Sequence, residues 1–161
     1  NIYNPNLKEI TKEDLDEQFE LSNKIMQKTT EANEAVIRIR EIKSHLDSSK
    51  EKLSASDLKK TVTPFLEKLS AIEEELYQVK NQSNQDPLNF PIKLNNRLAS
   101  LRRSVESGEA KPTDGAYKVF KELSAELEKH LGDLKSVMQN QLPKVNTTLK
   151  NTGVEEISAS E

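Results

Sequence analysis

No cysteine occurs in the 161 residues, which removes thiol chemistry, disulfides and cysteine metal ligands but leaves the compartment open. Tryptophan is absent, aromatic residues make up 4% and there are four glycines, which leaves little room for a glycine-rich phosphate loop. No apolar run approaches the roughly 18 residues that cross a bilayer, so membrane insertion is not expected. No excess of positive charge exists either: 24 basic and 27 acidic residues are interspersed for a net charge of −3. Nucleic acid is therefore not an expected partner, because no broad positive field is available to hold a polyphosphate backbone.

What the chain does have is 34% apolar and 32% charged residues, a profile that suits long amphipathic helices better than sheets or disorder. Its length suits one domain, or two small ones, burying roughly 70% of the unfolded surface. The chain opens on Asn1 without Met or a signal-like segment, and we expect a soluble piece of a longer protein.

Residues 1–11, NIYNPNLKEIT, hold a proline and no period, and read as a lead-in from an upstream domain. Thr11 followed by Glu13 and Asp14 makes a capped helix start. From there Leu21, Ile25, Ala32, Ala35, Ile39, Ile42 and Leu46 keep helical spacing if Lys28 is accepted as a break, with Phe19, Met26 and Val36 widening the stripe. This first helix should run to about Lys50. Ser56 or Asp57 can cap a second, whose apolar positions are Leu58, Val62, Phe65, Leu69, Ile72, Leu76 and Val79. Pro64 implies a kink, or a true start near Thr63; the kink keeps Leu58 and Val62 in the core and is preferred.

Leu94, Leu98, Leu101 and Val105 form a shorter third helix, ending at Ser107 or at a left-handed Gly108. A fourth, capped by Thr113 or Asp114, uses Ala116, Phe120, Leu123, Leu127, Leu131, Leu134, Met138 and Leu142, with Pro143 kinking or fraying its end. Beyond Asn151 the tail TGVEEISASE lacks a period, so residues 152–161 are expected to be disordered. Short loops between amphipathic helices predict an all-α, antiparallel up-and-down bundle of four helices over residues 12–151; the alternative is three long helices with a docked short one.

Chemistry is sparse. His45 and His130 each follow a glutamate, Glu41 and Glu126, by one turn, and read as solvated Glu–His pairs rather than a metal site. Glu73, Glu74 and Glu75 fall on different sides of a helix turn and read as a solvated face. No nucleophile elbow, phosphate loop or paired-carboxylate motif is present, so neither catalysis nor a cofactor or metal is expected. Asn81-Gln82-Ser83 and Asn146-Thr147-Thr148 match the glycosylation acceptor pattern, which such an asparagine-rich chain yields by chance. The arginines are Arg38, Arg40, Arg97, Arg102 and Arg103. They read as salt-bridge partners of Glu34, Glu41 and Glu106, or as a patch that docks an anionic partner or another domain.

One stretch departs from the rest: NQSNQDPLNFPIKLNN, residues 81–96. Pro87 and Pro91 restrict the residues before them to extended geometry. Asp86 and Phe90 are the residues so restricted, and amides from Asn81, Gln82, Asn89, Asn95 and Asn96 can satisfy a backbone that lacks helical partners. An ordered corner between helices two and three is expected, with a binding surface as a compatible role.

LYQVKNQSNQDPLNFPIKLNNRLASL, with NEAVIRIREIK and KPTDGAYKVFKELSAELEKHL, resembles the C-terminal helical region of large exported bacterial proteins. Those proteins carry sortilin-type or glycosyl-hydrolase-like BNR (Asp-box) repeat β-propellers. The resemblance implies a non-catalytic accessory bundle, exported to the periplasm or beyond, whose partner is the upstream propeller of the same chain. The Asp-box residues fall outside this sequence, so no catalytic position transfers. It leaves any small-molecule ligand open, and admits as an alternative role a wall of the propeller's active cleft, using Asn89, Asn95 and Asn96; the long seams suggest a further alternative, a self-associating coiled-coil adaptor.

Overall fold

The structure, a computed structural model, describes residues 11–77, 93–108 and 111–158. It is an all-α helical bundle, with no strand among the described residues. Helix α1, Lys12–Ser49, starts at a reciprocal cap: the Thr11 hydroxyl accepts from the Asp14 N–H at 3.1 Å, and the Asp14 carboxylate accepts from the Thr11 N–H at 3.3 Å. Leu21, Ile25, Ala32, Ala35, Val36, Ile39, Ile42 and Leu46 are all buried on one stripe. Lys28 interrupts that stripe without breaking the helix, which lysine readily continues, and its ammonium reaches Glu128 at 2.9 Å. Phe19 and Met26 do not widen the seam: at 69% and 41% exposed they lie on the other side of α1, as their positions on a 3.6-residue turn require.

A 3₁₀ turn, Lys50–Lys52, leads to Ser54, whose hydroxyl accepts from the Asp57 N–H at 3.1 Å. Ser54 is thus the cap, in place of Ser56 or Asp57. A single turn α2, Ala55–Asp57, passes through a π-helical turn, Leu58–Val62, into α3, Thr63–Leu76. The wide turn answers Pro64, which has no N–H to offer. The Thr63 N–H reaches the Leu58 carbonyl one residue further back than in an α-helix. Val62 is fully buried and Leu58 packs at the core edge, so the apolar pattern runs through the irregularity. Val79 lies outside the described residues.

Helices α4, Leu94–Ser107, and α5, Asp114–Asn140, complete the bundle. α5 is capped by the Thr113 hydroxyl, which accepts from the Ala116 N–H at 3.1 Å. Side-chain pairings fix the directions. Tyr117 donates to Glu17 at 3.2 Å and Lys28 meets Glu128, so α5 runs parallel to α1. Arg40 and Lys43 meet Glu73 near the end of α3, while the residues around Pro64 at its start lie beside Gln141 and Lys144. Arg97 at the start of α4 meets Glu126, and Gln18 at the base of α1 donates to the Val105 carbonyl at 2.6 Å. α3 and α4 therefore run the same way, both opposite to α1 and α5. α3 and α4 follow one another along α1, and three helices stand abreast at each level of the bundle.

Gln141 ends α5, and α6, Leu142–Asn151, begins with Pro143 in its first turn. Pro143 thus opens a helix where its fixed φ and missing N–H cost nothing, rather than fraying one. Leu142, Val145 and Leu149 are buried. Gly153, at φ 76°, closes α6 with paired bonds from the Gly153 N–H to the Lys150 carbonyl and from the Val154 N–H to the Leu149 carbonyl. Gly108, expected in that left-handed role, is extended at φ −70°, ψ 142°.

Residues 152–158 are placed rather than disordered. Val154 packs on the core, and Ile157 is buried with its main chain held on both sides by the Asn146 amide, each bond 2.8 Å. Both amide atoms of Asn146 are thereby engaged, which explains why this acceptor-like asparagine has a structural role.

Candidate functional site

The five arginines do not converge on one patch. Arg40 donates from Nε to Glu73 at 2.7 Å and lies 5.0 Å from the centre of the Tyr77 ring. Arg38 donates to the Ser158 carbonyl and stands 4.0 Å from Glu41. Arg102 pairs with Glu106 at 2.9 Å, as expected, and Ser22 donates to the same carboxylate oxygen at 2.6 Å. Those two donors, Ser22 first, hold Glu106 below the usual carboxylate range.

Glu73 corrects the reading of a solvated acidic face. It is 5% exposed and receives Arg40 and Lys43, the latter at 2.6 Å. Burial alone would raise its pKa; the bonds from Lys43 and Arg40 outweigh burial and hold the carboxyl below its ordinary value.

At the waist of the bundle Glu75, Glu126 and His130 bring three ligand-type atoms within 4.8 Å of one another. Glu126 Oε1 stands 3.9 Å from His130 Nε2, but the imidazole is 12% exposed rather than solvated, and the same oxygen accepts from Arg97 at 2.6 Å. A divalent ion placed there would face the guanidinium charge at close range, so these residues fit an ion-paired clasp between α3, α4 and α5. His45 does not pair with Glu41. Its Nε2 donates instead to the Glu155 carbonyl at 2.7 Å.

Of the amide-rich run, Asn81, Gln82, Asp86, Pro87, Asn89 and Pro91 lie outside the described residues. Asn95 and Asn96 sit half-buried in the first turn of α4. Asn95 Oδ1 and Arg97 Nε are enclosed without hydrogen-bond partners among the described residues.

The feature that the periodic pattern does not separate from the core lies along α1 and α5. Leu131, Leu134, Val137 and Met138 continue the stripe of Leu123 and Leu127, yet they are only half-covered. Beside them a groove of about 530 Å³ opens between the two parallel helices, lined by Ala35, Ile37, Arg38, Leu131, Leu134 and carboxylates of α1. Ile37 forms its apolar lip at 55% exposure. The one sequence signal was Ile37 itself, an isoleucine off the seam in VIRIR. Among the described residues, three abreast helices leave this face of α5 without the neighbour that a fourth would supply.

Among the described residues no helix is long and apolar enough to cross a membrane. The chain matches no family model, no curated protein and no solved structure.

Proposed function

We propose that the chain is a non-catalytic helical-bundle module that packs against another polypeptide domain and contributes stability or partner contacts. The observation that carries this reading is the half-covered apolar stripe of Leu131, Leu134, Val137 and Met138 beside exposed Ile37. These side chains pack against the core yet keep part of their surface in water, and covering the rest would contribute a fraction of the about 1.5–3 kcal/mol that full burial of each one gives. Contiguous apolar surface with a charged rim is the usual mark of a contact site.

The resemblance to exported BNR-repeat proteins names the partner domain as an upstream β-propeller of the same chain and the compartment as periplasmic or extracellular. Hydrogen exchange across α5 tests the module reading, comparing this chain alone with the longer protein that carries the propeller. Slower exchange of residues 131–138 in the longer protein is expected. Equal exchange in both would remove the groove from any role in domain packing.

A further inference from the structure

Resting on that reading of the groove as a contact surface, we propose that the segment it receives is a basic amphipathic helix of the longer protein, lying outside the propeller's β-strands. The shape points to a helix. α1 and α5 run parallel, and the trough between them is floored by Ala35, Leu131 and Leu134, the arrangement into which apolar side chains at i, i+3 or i+4 and i+7 of a third helix insert.

The charge points to a basic one. Glu31, Glu34 and Glu41 all line the trough from the α1 side. Glu31 is shared with Lys28 at 3.4 Å and Glu41 lies 4.0 Å from Arg38. Glu34 has no basic partner among the described residues and is exposed. Arg38, the one cation lining the trough among the described residues, is drawn toward the tail by its bond to the Ser158 carbonyl. Lysines or arginines flanking the apolar stripe of an incoming helix would therefore meet carboxylates along three turns of α1. A second copy presenting the same face would bring its own acidic rim against this one, and an anionic lipid surface would be repelled by the same rim.

The test uses the full chain and two labelled 18-residue helical peptides of identical Leu pattern, one with Lys and one with Glu at every polar position. Binding is read by fluorescence anisotropy at low and high salt, and mapped by amide chemical shifts. The Lys peptide is expected to bind and to shift residues 31–41 and 131–138. Its affinity should fall at least tenfold in the Glu34→Lys/Glu41→Lys variant, whose exposed positions leave the fold intact by circular dichroism. The Glu peptide should instead gain affinity for that variant. Binding unaffected by charge reversal, shifts mapping elsewhere, or no binding would each overturn the proposal. Should the Lys peptide fail while exchange of residues 131–138 still slows in the longer protein, the basic helix falls and the groove stands as a contact site.

Discussion

Asn146 grips the main chain of Ile157 from both sides: its Nδ2 donates to the Ile157 carbonyl and its Oδ1 accepts from the Ile157 N–H, each at 2.8 Å. One side-chain amide thus takes the place of a neighbouring strand and seats Ile157 at 6% exposure. Asn146→Ala leaves two part-buried main-chain groups without partners. It should lower unfolding free energy by about 1–3 kcal/mol, read as a lower urea midpoint, and release the Ile157 amide to fast hydrogen exchange. A protected Ile157 amide in the variant would show that the tail is held by something else.

Two glycines should respond with opposite sign. Gly153 sits at φ 76°, where a side chain costs roughly 1–2 kcal/mol, so Gly153→Ala is expected to destabilise. Gly132 lies within α5, and a methyl group added there would meet nothing within 4 Å, so Gly132→Ala should stabilise by about 1 kcal/mol through helix propensity. Thermal unfolding of both variants compares them, and shifts of the same sign would contradict the assigned backbone conformations.

Glu73 should make stability depend on acid. Its pKa is held below the ordinary carboxylate value by Lys43 and Arg40 against the effect of burial. The folded state therefore binds its proton less readily than the unfolded one, and the stabilisation is complete above the unfolded pKa of about 4.3. It is lost as the pH falls from that value through the lower folded pKa. Glu73→Gln should cost roughly 1–2 kcal/mol near neutral pH, a difference that shrinks below about pH 4 in urea titrations. A gap that stays constant down to pH 3 would contradict the ion-paired geometry.

The helices themselves were legible because their information is local. Leu21 through Leu46 repeat at threes and fours, Thr11 and Thr113 announce their helices as caps, and Leu94 through Val105 mark α4 completely. What was not legible depends on pairings distant in the chain. Glu73, Glu74 and Glu75 are alike as letters, and only the approach of Arg40 and Lys43 from α1 makes Glu73 a buried partner. Leu131 and Leu134 carry the same periodic signal as Leu123 and Leu127; the number of helices abreast decides that the first pair stays half-covered. Ile157 looks like a lone apolar residue in a polar tail until α6 brings Asn146 beside it. The direction of α4 likewise rests on contacts such as Gln18 with Val105 and Arg97 with Glu126, which no periodicity records.

The parallel course of α1 and α5, which creates the groove, can be measured directly because the chain has no cysteine to confuse labelling. Spin labels are placed at exposed positions as two pairs, Glu20 with Lys121 and Glu20 with Gln139, and distances are read by pulsed electron resonance. Parallel helices require the first pair to be close and the second longer by roughly 27 Å of axial offset, at about 1.5 Å per residue. A first distance longer than the second would mean that α5 runs antiparallel to α1, and would remove the groove on which the functional reading stands.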